Sequence, residues 1–312
     1  MTAPFRPFRP FRPFRRSVRA GVLALVLATA ALVVPDAAVH RTDVLLVQAD
    51  RAEGVAVRDR DVLWVLAVGS DARPGEKMTR ARGDAIQLVG LNTRTGSAVA
   101  IGIPRDSWVP IPGHGYGRVN SALTYGGPGL MGRTVGNLVG VQPDYVFVTR
   151  FPFFEDMVDD IGGIHVRNPR AFSDENLKPL GFDRGRIKLD GYGAMAFARI
   201  RKTLAGGDFD RSANQQRVLR GIQQAVRARA DEPGFIERGV LSVLEHMHTD
   251  LPPGELFRLG QALAHVDPAK VTTCVVGGSI GNVDGASIVR PFVAQARRYG
   301  AAARDDASLR GC

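Results

Sequence analysis

Apolar and polar positions follow three different patterns along this chain, and each predicts a different kind of element. The first is an unbroken apolar run from Ala20 to Val34, closed by Pro35-Asp36 and preceded by a proline-rich Phe-Arg-Pro repeat between Phe5 and Arg15. Its 15 residues carry no charge. A bilayer-spanning helix needs about 20, and Ser17, Val18 and a snorkelling Arg19 extend the run toward that length. The same length suits a secretory leader, but the small residues Ala28-Thr29-Ala30 and Ala37-Ala38 are poorly placed for cleavage. An uncleaved signal anchor over 20–38 is therefore expected. The arginines ahead of it hold the N-terminus in the cytoplasm and place everything beyond outside.

The second pattern is that of buried strands: Asp61–Val68, Ala85–Leu91, Ser97–Ile103 closed by Pro104, Tyr145–Thr149 and Val271–Val276. Val44–Val47 and Val55–Val57 read as short strands or as a connecting stalk. The third pattern, helical spacing, covers Phe153–Ile161, Tyr192–Arg199, Ser212–Asp231, Phe235–His246 and Glu255–His265. Strands interleaved with helices predict an α/β domain of α-β-α layers. Its central sheet is mixed, because Asn92–Gly96 is a hairpin loop and not a crossover, and it is flanked by helices and preceded by one transmembrane helix. The expected segments are a cytoplasmic tail (1–19), the anchor (20–38), a juxtamembrane stalk (39–60), one extracytoplasmic domain (61–300) and a C-terminal tail (301–312).

Composition narrows the function classes. With 45% apolar and 23% charged residues in 312, the chain can bury a full core. The net charge is +10, but Arg6, Arg9, Arg12, Arg15, Arg16 and Arg19 all precede the first acidic residue, Asp36. The remainder carries only +4, which argues against a nucleic-acid footprint, and the basic tail suits an anionic membrane surface. Cys274 and Cys312 are the only cysteines. They lack the spacing of a zinc site and read as one extracytoplasmic disulfide or as two unrelated thiols.

Candidate chemistry gathers where strands end. Asp71 follows the first strand of the domain, Arg82 and Asp84 lead into the second, and Arg105-Asp106 follow the third. Asp71 and Asp84 are candidates to share a hard cation, since Mg²⁺ takes one or two carboxylates plus phosphate oxygens. Arginine suits phosphate because its planar fork donates parallel charge-assisted hydrogen bonds. A second group follows: Arg199 and Arg201, a Gly206-Gly207 loop, then Arg211 and Gln215, which sit four apart on one helix face. Such a ring suits a pyrophosphate whose charge shifts during phosphoryl transfer.

Other motifs carry less. Gly277-Gly278-Ser279-Ile280-Gly281 matches a serine-hydrolase elbow, but the last histidine, His265, precedes it, so a Gly-rich turn is expected there. Gly113–Gly117 and Gly126–Gly129 lack the lysine of a P-loop and read as loops shaping the site.

Six segments occur in one order over residues 60–230: Gly69-Ser70-Asp71, Ala81-Arg82-Gly83-Asp84, Ile103-Pro104-Arg105-Asp106, Val119-Asn120 with Tyr125–Pro128, Arg199-Ile200-Arg201, and Asp210-Arg211 before Gln215-Gln216. Together they resemble the LytR-CpsA-Psr proteins. The resemblance implies a membrane-anchored phosphotransferase that moves a glycopolymer phosphate from a polyprenyl pyrophosphate lipid onto peptidoglycan with Mg²⁺. By motif position, Asp71 and Asp84 would hold the metal and Arg82, Arg199 and Arg201 the pyrophosphate. Arg105, Arg211 and Gln215 would complete the transition-state shell. It also implies an apolar pocket for the polyprenyl tail between sheet and helices. Gly83 and Ala85 depart from the hydroxyl residues usual in that family, Ser121 from its common histidine and Asn214 from its frequent arginine. Two other readings use the same residues: a non-catalytic lipid-phosphate or wall-glycan binding protein, and a pyrophosphate hydrolase.

Overall fold

Period-two alternation in the first long strand puts Trp64, Leu66 and Val68 on one side and Leu63, Val65 and Ala67 on the other, and helices lie against both sides. The computed structural model describes residues 44–49, 60–73, 75–239 and 247–312. The expected tail and anchor, Val55–Val57 and the second half of the Phe235–His246 helix lie outside the described residues. Among the described residues no helix is long and apolar enough to cross a membrane.

In chain order the strands are β1 (Val44–Gln48), β2 (Val62–Ser70), β3 (Gly83–Asn92), β4 (Ala98–Gly102), β5 (Trp108–Ile111), β6 (Gly115–Arg118), β7 (Tyr145–Arg150), β8 (Ile164–Asn168), β9 (Phe172–Asp174), β10 (Lys178–Phe182), β11 (Gly185–Leu189), β12 (Met247–Thr249), β13 (Val271–Val275), β14 (Gly278–Val283) and β15 (Ala286–Pro291). The helices are α1 (Ser121–Val139), α2 (Phe151–Asp160), α3 (Gly191–Arg199), α4 (Asp208–Arg229), α5 (Pro253–His265) and α6 (Val293–Ala303). Residues 235–239 are also helical.

A seven-stranded sheet runs β12-β1-β7-β2-β3-β4-β13. It is mixed, as expected: β3 is antiparallel to both β2 and β4, while β2 with β7 and β4 with β13 are parallel. One face packs Leu66, Val68, Ile86, Leu88 and Ile101 against Met131 and Val135 of α1 and Tyr299 of α6. Beyond the opposite face, Val158, Ile164, Phe197 and Val218 close a second core among α2, α3, α4 and β8. Leu63 and Tyr145 pack there against Leu251 and Leu256 of α5.

Several boundaries move. Val44–Gln48, within the expected stalk, is an inner strand paired with β7 from Val44↔Thr149 to Gln48↔Tyr145. The chain thus enters the sheet at the end where β7 finishes. The C-terminal tail is part of the core as well: Ala303, Ala307 and Leu309 are buried, and Ser97 Oγ donates to the Asp306 carbonyl at 2.6 Å. Gly278–Val283 is a strand paired with β15, not a Gly-rich turn. Gly113–Gly117 forms the turn and second strand of the β5–β6 hairpin. Gly126–Gly129 is a break inside α1, where Gly127 sits at φ 66°, a backbone that suits glycine, before Pro128 restarts the helix.

Cys274 of β13 and Cys312 are disulfide-bonded, with Cα atoms 5.7 Å apart and a sequence separation of 38. Closing a loop of that length removes unfolded-chain entropy worth about 4 kcal/mol. Cys312→Ser is therefore expected to lower unfolding stability by roughly that amount. Because Cys312 is exposed, urea titration of this variant isolates the cross-link, and an unchanged midpoint would show that the C-terminus is held by packing alone.

Candidate functional site

The site forms where β2 and β4 end on either side of the start of β3. Asp71 leaves β2 with its backbone N–H donating to the Arg82 carbonyl at 3.0 Å, and its Oδ1 accepts from the Arg82 N–H at 3.2 Å. The exposed Arg82 guanidinium lies 3.7 Å from Asp71 Oδ2. A register shift after Gly69 in the β2–β3 ladder brings Ser70 opposite Gly83. Asp84 then pairs with Arg105, just past β4. Asp106 is the hub of the rim: its carboxylate lies 2.9 Å from Arg201 Nη1, 3.8 Å from Arg118 Nε and 3.9 Å from Arg105 Nε. The loop into α1 closes the corner, as Asn120 N–H donates to the Arg105 carbonyl at 3.2 Å.

From the other side, α4 brings Arg211 and Asp208, a buried ion pair. Burial raises the Asp208 pKa and lowers that of Arg211, and each partner's charge opposes the shift of the other. Asp208 Oδ2 is buried without a hydrogen-bond partner among the described residues. For Arg105, burial works to lower the pKa, but Asp84, by charge and hydrogen bond, together with Asp106 and Asp208, raises it. Arg105, Arg201 and Arg211 thus converge on Asp84, Asp106 and Asp208 as one electrostatic cluster.

Not every expected residue joins it. Arg199 ends α3 with its guanidinium 4.2 Å above the Phe151 ring and Nη1 3.9 Å from Met195 Sδ. Gln215 is buried with its amide committed inward: Nε2 donates to the carbonyls of Asp84 and Ala198, each at 3.3 Å, and Oε1 accepts from Gln87 Nε2 at 3.1 Å. In this structure Gln215 ties α4 to β3 and to the end of α3. Gly102 permits that contact, since a Cβ there would lie 2.8 Å from Ser212 Oγ and 2.9 Å from Gln216 Nε2.

The sequence alone assigns no role to Asp208, Gln87 or Arg118 and marks Asp106 only by its place after the third strand. For Gln87 the signal was a polar residue in the apolar run Ile86–Val89. For Asp208 it was the three-residue spacing to Arg211 at a helix start.

The sheet face opposite α1 has a second feature. Val65, Ala67 and Gly69 of β2, Ala85 and Val89 of β3, and Phe147 and Thr149 of β7 are only half-buried although they lie on inner strands. The register aligns them as Gly69 beside Ala85 and Thr149, Ala67 beside Phe147, and Val65 beside Val89. They form a row of partly buried, mostly small side chains leading toward Asp71, with Val65 and Phe147 packed beside Leu63 and Tyr145 and Val89 beside Leu91 and Ala98.

Three arginines, Arg105, Arg201 and Arg211, thus converge at the end of a sheet face lined with half-buried apolar side chains. The chain belongs to the LytR_cpsA_psr family, whose model matches residues 36–300. It is 34% identical over 173 residues to the polyisoprenyl-teichoic acid–peptidoglycan teichoic acid transferase TagU of Bacillus subtilis (strain 168), an alignment covering 55% of this chain and 55% of that protein. The chain thus spans about half the length of the curated relatives it matches. The fold is that of B. subtilis TagV (TM-score 0.66, 24% identity, 77% of this chain and 96% of that one). It is also that of the family protein YwtF (TagT), solved with bound octaprenyl pyrophosphate lipid (TM-score 0.60, 22% identity, 81% and 94%).

Proposed function

We propose that this protein transfers a phosphate-linked glycopolymer from a polyprenyl pyrophosphate carrier to peptidoglycan on the outer side of the membrane, tethered there by residues 20–38. The observation that carries the reading is the convergence of Arg105, Arg201 and Arg211 at the end of that row of half-buried apolar side chains, which serves as the carrier furrow in this reading. The polyprenyl chain lies along Val65, Ala67, Gly69, Ala85, Val89 and Phe147, and its pyrophosphate meets the rim. An acceptor hydroxyl attacks the phosphorus that bears the polymer. The bond from that phosphorus to the bridging oxygen breaks, and polyprenyl phosphate leaves.

Fixed guanidinium groups in a partly desolvated cleft stabilise the charge that develops on the transferring phosphoryl group. Asp106 holds Arg201, Arg118 and Arg105 in place, and Arg82 stands at the solvent edge beside Asp71. Among the described residues no group of three or more acidic, histidine or cysteine side chains forms a metal site alone. Asp71 and Asp84, on adjacent strands at one rim, match the donor set of an ion completed by phosphate oxygens. Bound there, Mg²⁺ would neutralise pyrophosphate charge.

The test is product analysis with a polyprenyl pyrophosphate-linked saccharide, Mg²⁺ and peptidoglycan fragments. A phosphodiester joining saccharide to fragment is the expected product. Release of free saccharide phosphate would identify a hydrolase, and retention of intact lipid would identify a binding protein.

A further inference from the structure

We propose that the outward face of the β5–β6 hairpin is the track on which the acceptor glycan lies, with Trp108 and Tyr116 as its stacking rings. The inference rests on the transferase reading and names where its second substrate binds.

The hairpin grows directly out of the arginine rim. Its ladder begins with Asn120 N–H donating to the Arg105 carbonyl and Val119 N–H to the Ser107 carbonyl, at 3.2 and 2.8 Å. It continues through Trp108↔Arg118 and Pro110↔Tyr116. Residues two apart along a strand share a face, as do directly opposed partners. Asp106, Trp108, Pro110, Tyr116 and Arg118 therefore follow one another on one side. The other side, with Val109, Ile111 and Val119, is buried in the same core as Leu66, Val68 and Ile86. At the root of the outward face, Arg118 lies 3.8 Å from Asp106, the carboxylate that also holds Arg201. Farther out, Tyr116 is 66% exposed beside the exposed Pro110. The tip is fastened: His114 stacks on Tyr125 of α1 with centroids 5.0 Å apart and planes at 22°.

A rigid arm that presents aromatic rings next to an arginine and a carboxylate matches the two surfaces of a pyranose. The apolar C–H face lies on a ring, and the hydroxyls bond to the polar neighbours. Reaction geometry selects the acceptor as occupant. The attacking and leaving oxygens lie roughly in line through the phosphorus. The furrow that takes the carrier lies on the sheet face away from α1, so the leaving polyprenyl phosphate lies on that side. The hairpin packs on the α1 side, from which the attacking hydroxyl must come.

The test uses full-length protein in detergent and soluble GlcNAc-MurNAc oligosaccharides, with binding measured by calorimetry and turnover measured with the lipid donor. Tyr116→Ala is expected to weaken oligosaccharide binding about tenfold and to raise the acceptor KM by the same factor. The kcat and the donor KM should stay unchanged, and Tyr116→Phe should behave as the parent. Oligosaccharide binding indifferent to Tyr116→Ala would overturn the proposal. So would a rise confined to the donor KM, which would place the polymer's own sugars on the track. Ring-dependent binding without transfer would leave the track standing and remove the transferase reading instead.

Discussion

Arg211→Ala is expected to lower unfolding stability by about 3–5 kcal/mol, the cost of leaving a buried charge without its partner. The Arg211 and Asp208 side chains are each only 5% exposed, so water cannot replace the lost guanidinium. Asp208 Oδ2 already has no hydrogen-bond partner among the described residues. Burial, and to a lesser extent the charge of Asp106, pushes the Asp208 pKa up, and Arg211 is the largest influence opposing them. Without Arg211 the carboxyl rises further above its unfolded value. An acid whose folded pKa is raised gains stability relative to the parent as pH falls through that pKa. The deficit of Arg211→Ala should therefore shrink on acidification. Urea unfolding at neutral and mildly acidic pH measures both effects, and a loss below about 1 kcal/mol, or one that grows at low pH, would contradict the burial of this pair. Replacing both residues with apolar side chains of similar volume should recover most of the loss. Activity should not return with it, because the guanidinium would still be missing from the rim.

The core of the sheet was legible because β2, β3, β4, β7 and β13 are apolar runs bounded by turn or charged residues. The β5–β6 hairpin was not. Its strands are four residues long, contain Pro110, Gly115 and Gly117, and show no period long enough to detect. β1 was ambiguous for the same reason, since four apolar residues fit a stalk as well as a strand; only its pairing with β7 decides. At the site, motif order marked loops that the fold brings to one edge of the sheet, because strand ends collect the residues that cannot be buried. The roles assigned by motif fared unevenly. Gln215 looks like a ligand group beside Arg211 on a helix wheel, yet packing turns its amide toward Asp84, Ala198 and Gln87. Net charge misled by averaging. Residues 161–229 hold fourteen basic and six acidic side chains, so the modest +4 beyond the tail conceals a basic stretch that contains Arg199, Arg201 and Arg211.

Arg201 offers the contrasting case, in which function is lost and folding is kept. Its side chain is 37% exposed, and its contact with Asp106 at 2.9 Å lies at the rim. Ion pairs this close to solvent contribute about 0–1 kcal/mol, and Asp106 keeps Arg118 and Arg105 nearby when Arg201 is removed. Arg201→Ala is therefore expected to unfold within about 1 kcal/mol of the parent. Turnover should fall far more, because a donor fixed before the reaction stabilises developing phosphoryl charge without reorganising, and losing one such donor typically costs about 10²–10³ in kcat. Arg201→Lys separates geometry from charge: a point charge cannot reproduce the planar fork, so it should restore only part of the rate. Measured together, unfolding midpoint and turnover should place Arg201→Ala and Arg211→Ala at opposite corners. If Arg201→Ala lost stability and activity in equal measure, the Arg201–Asp106 contact would be structural, and the arginine rim would have to be rebuilt around Arg105 and Arg211 alone.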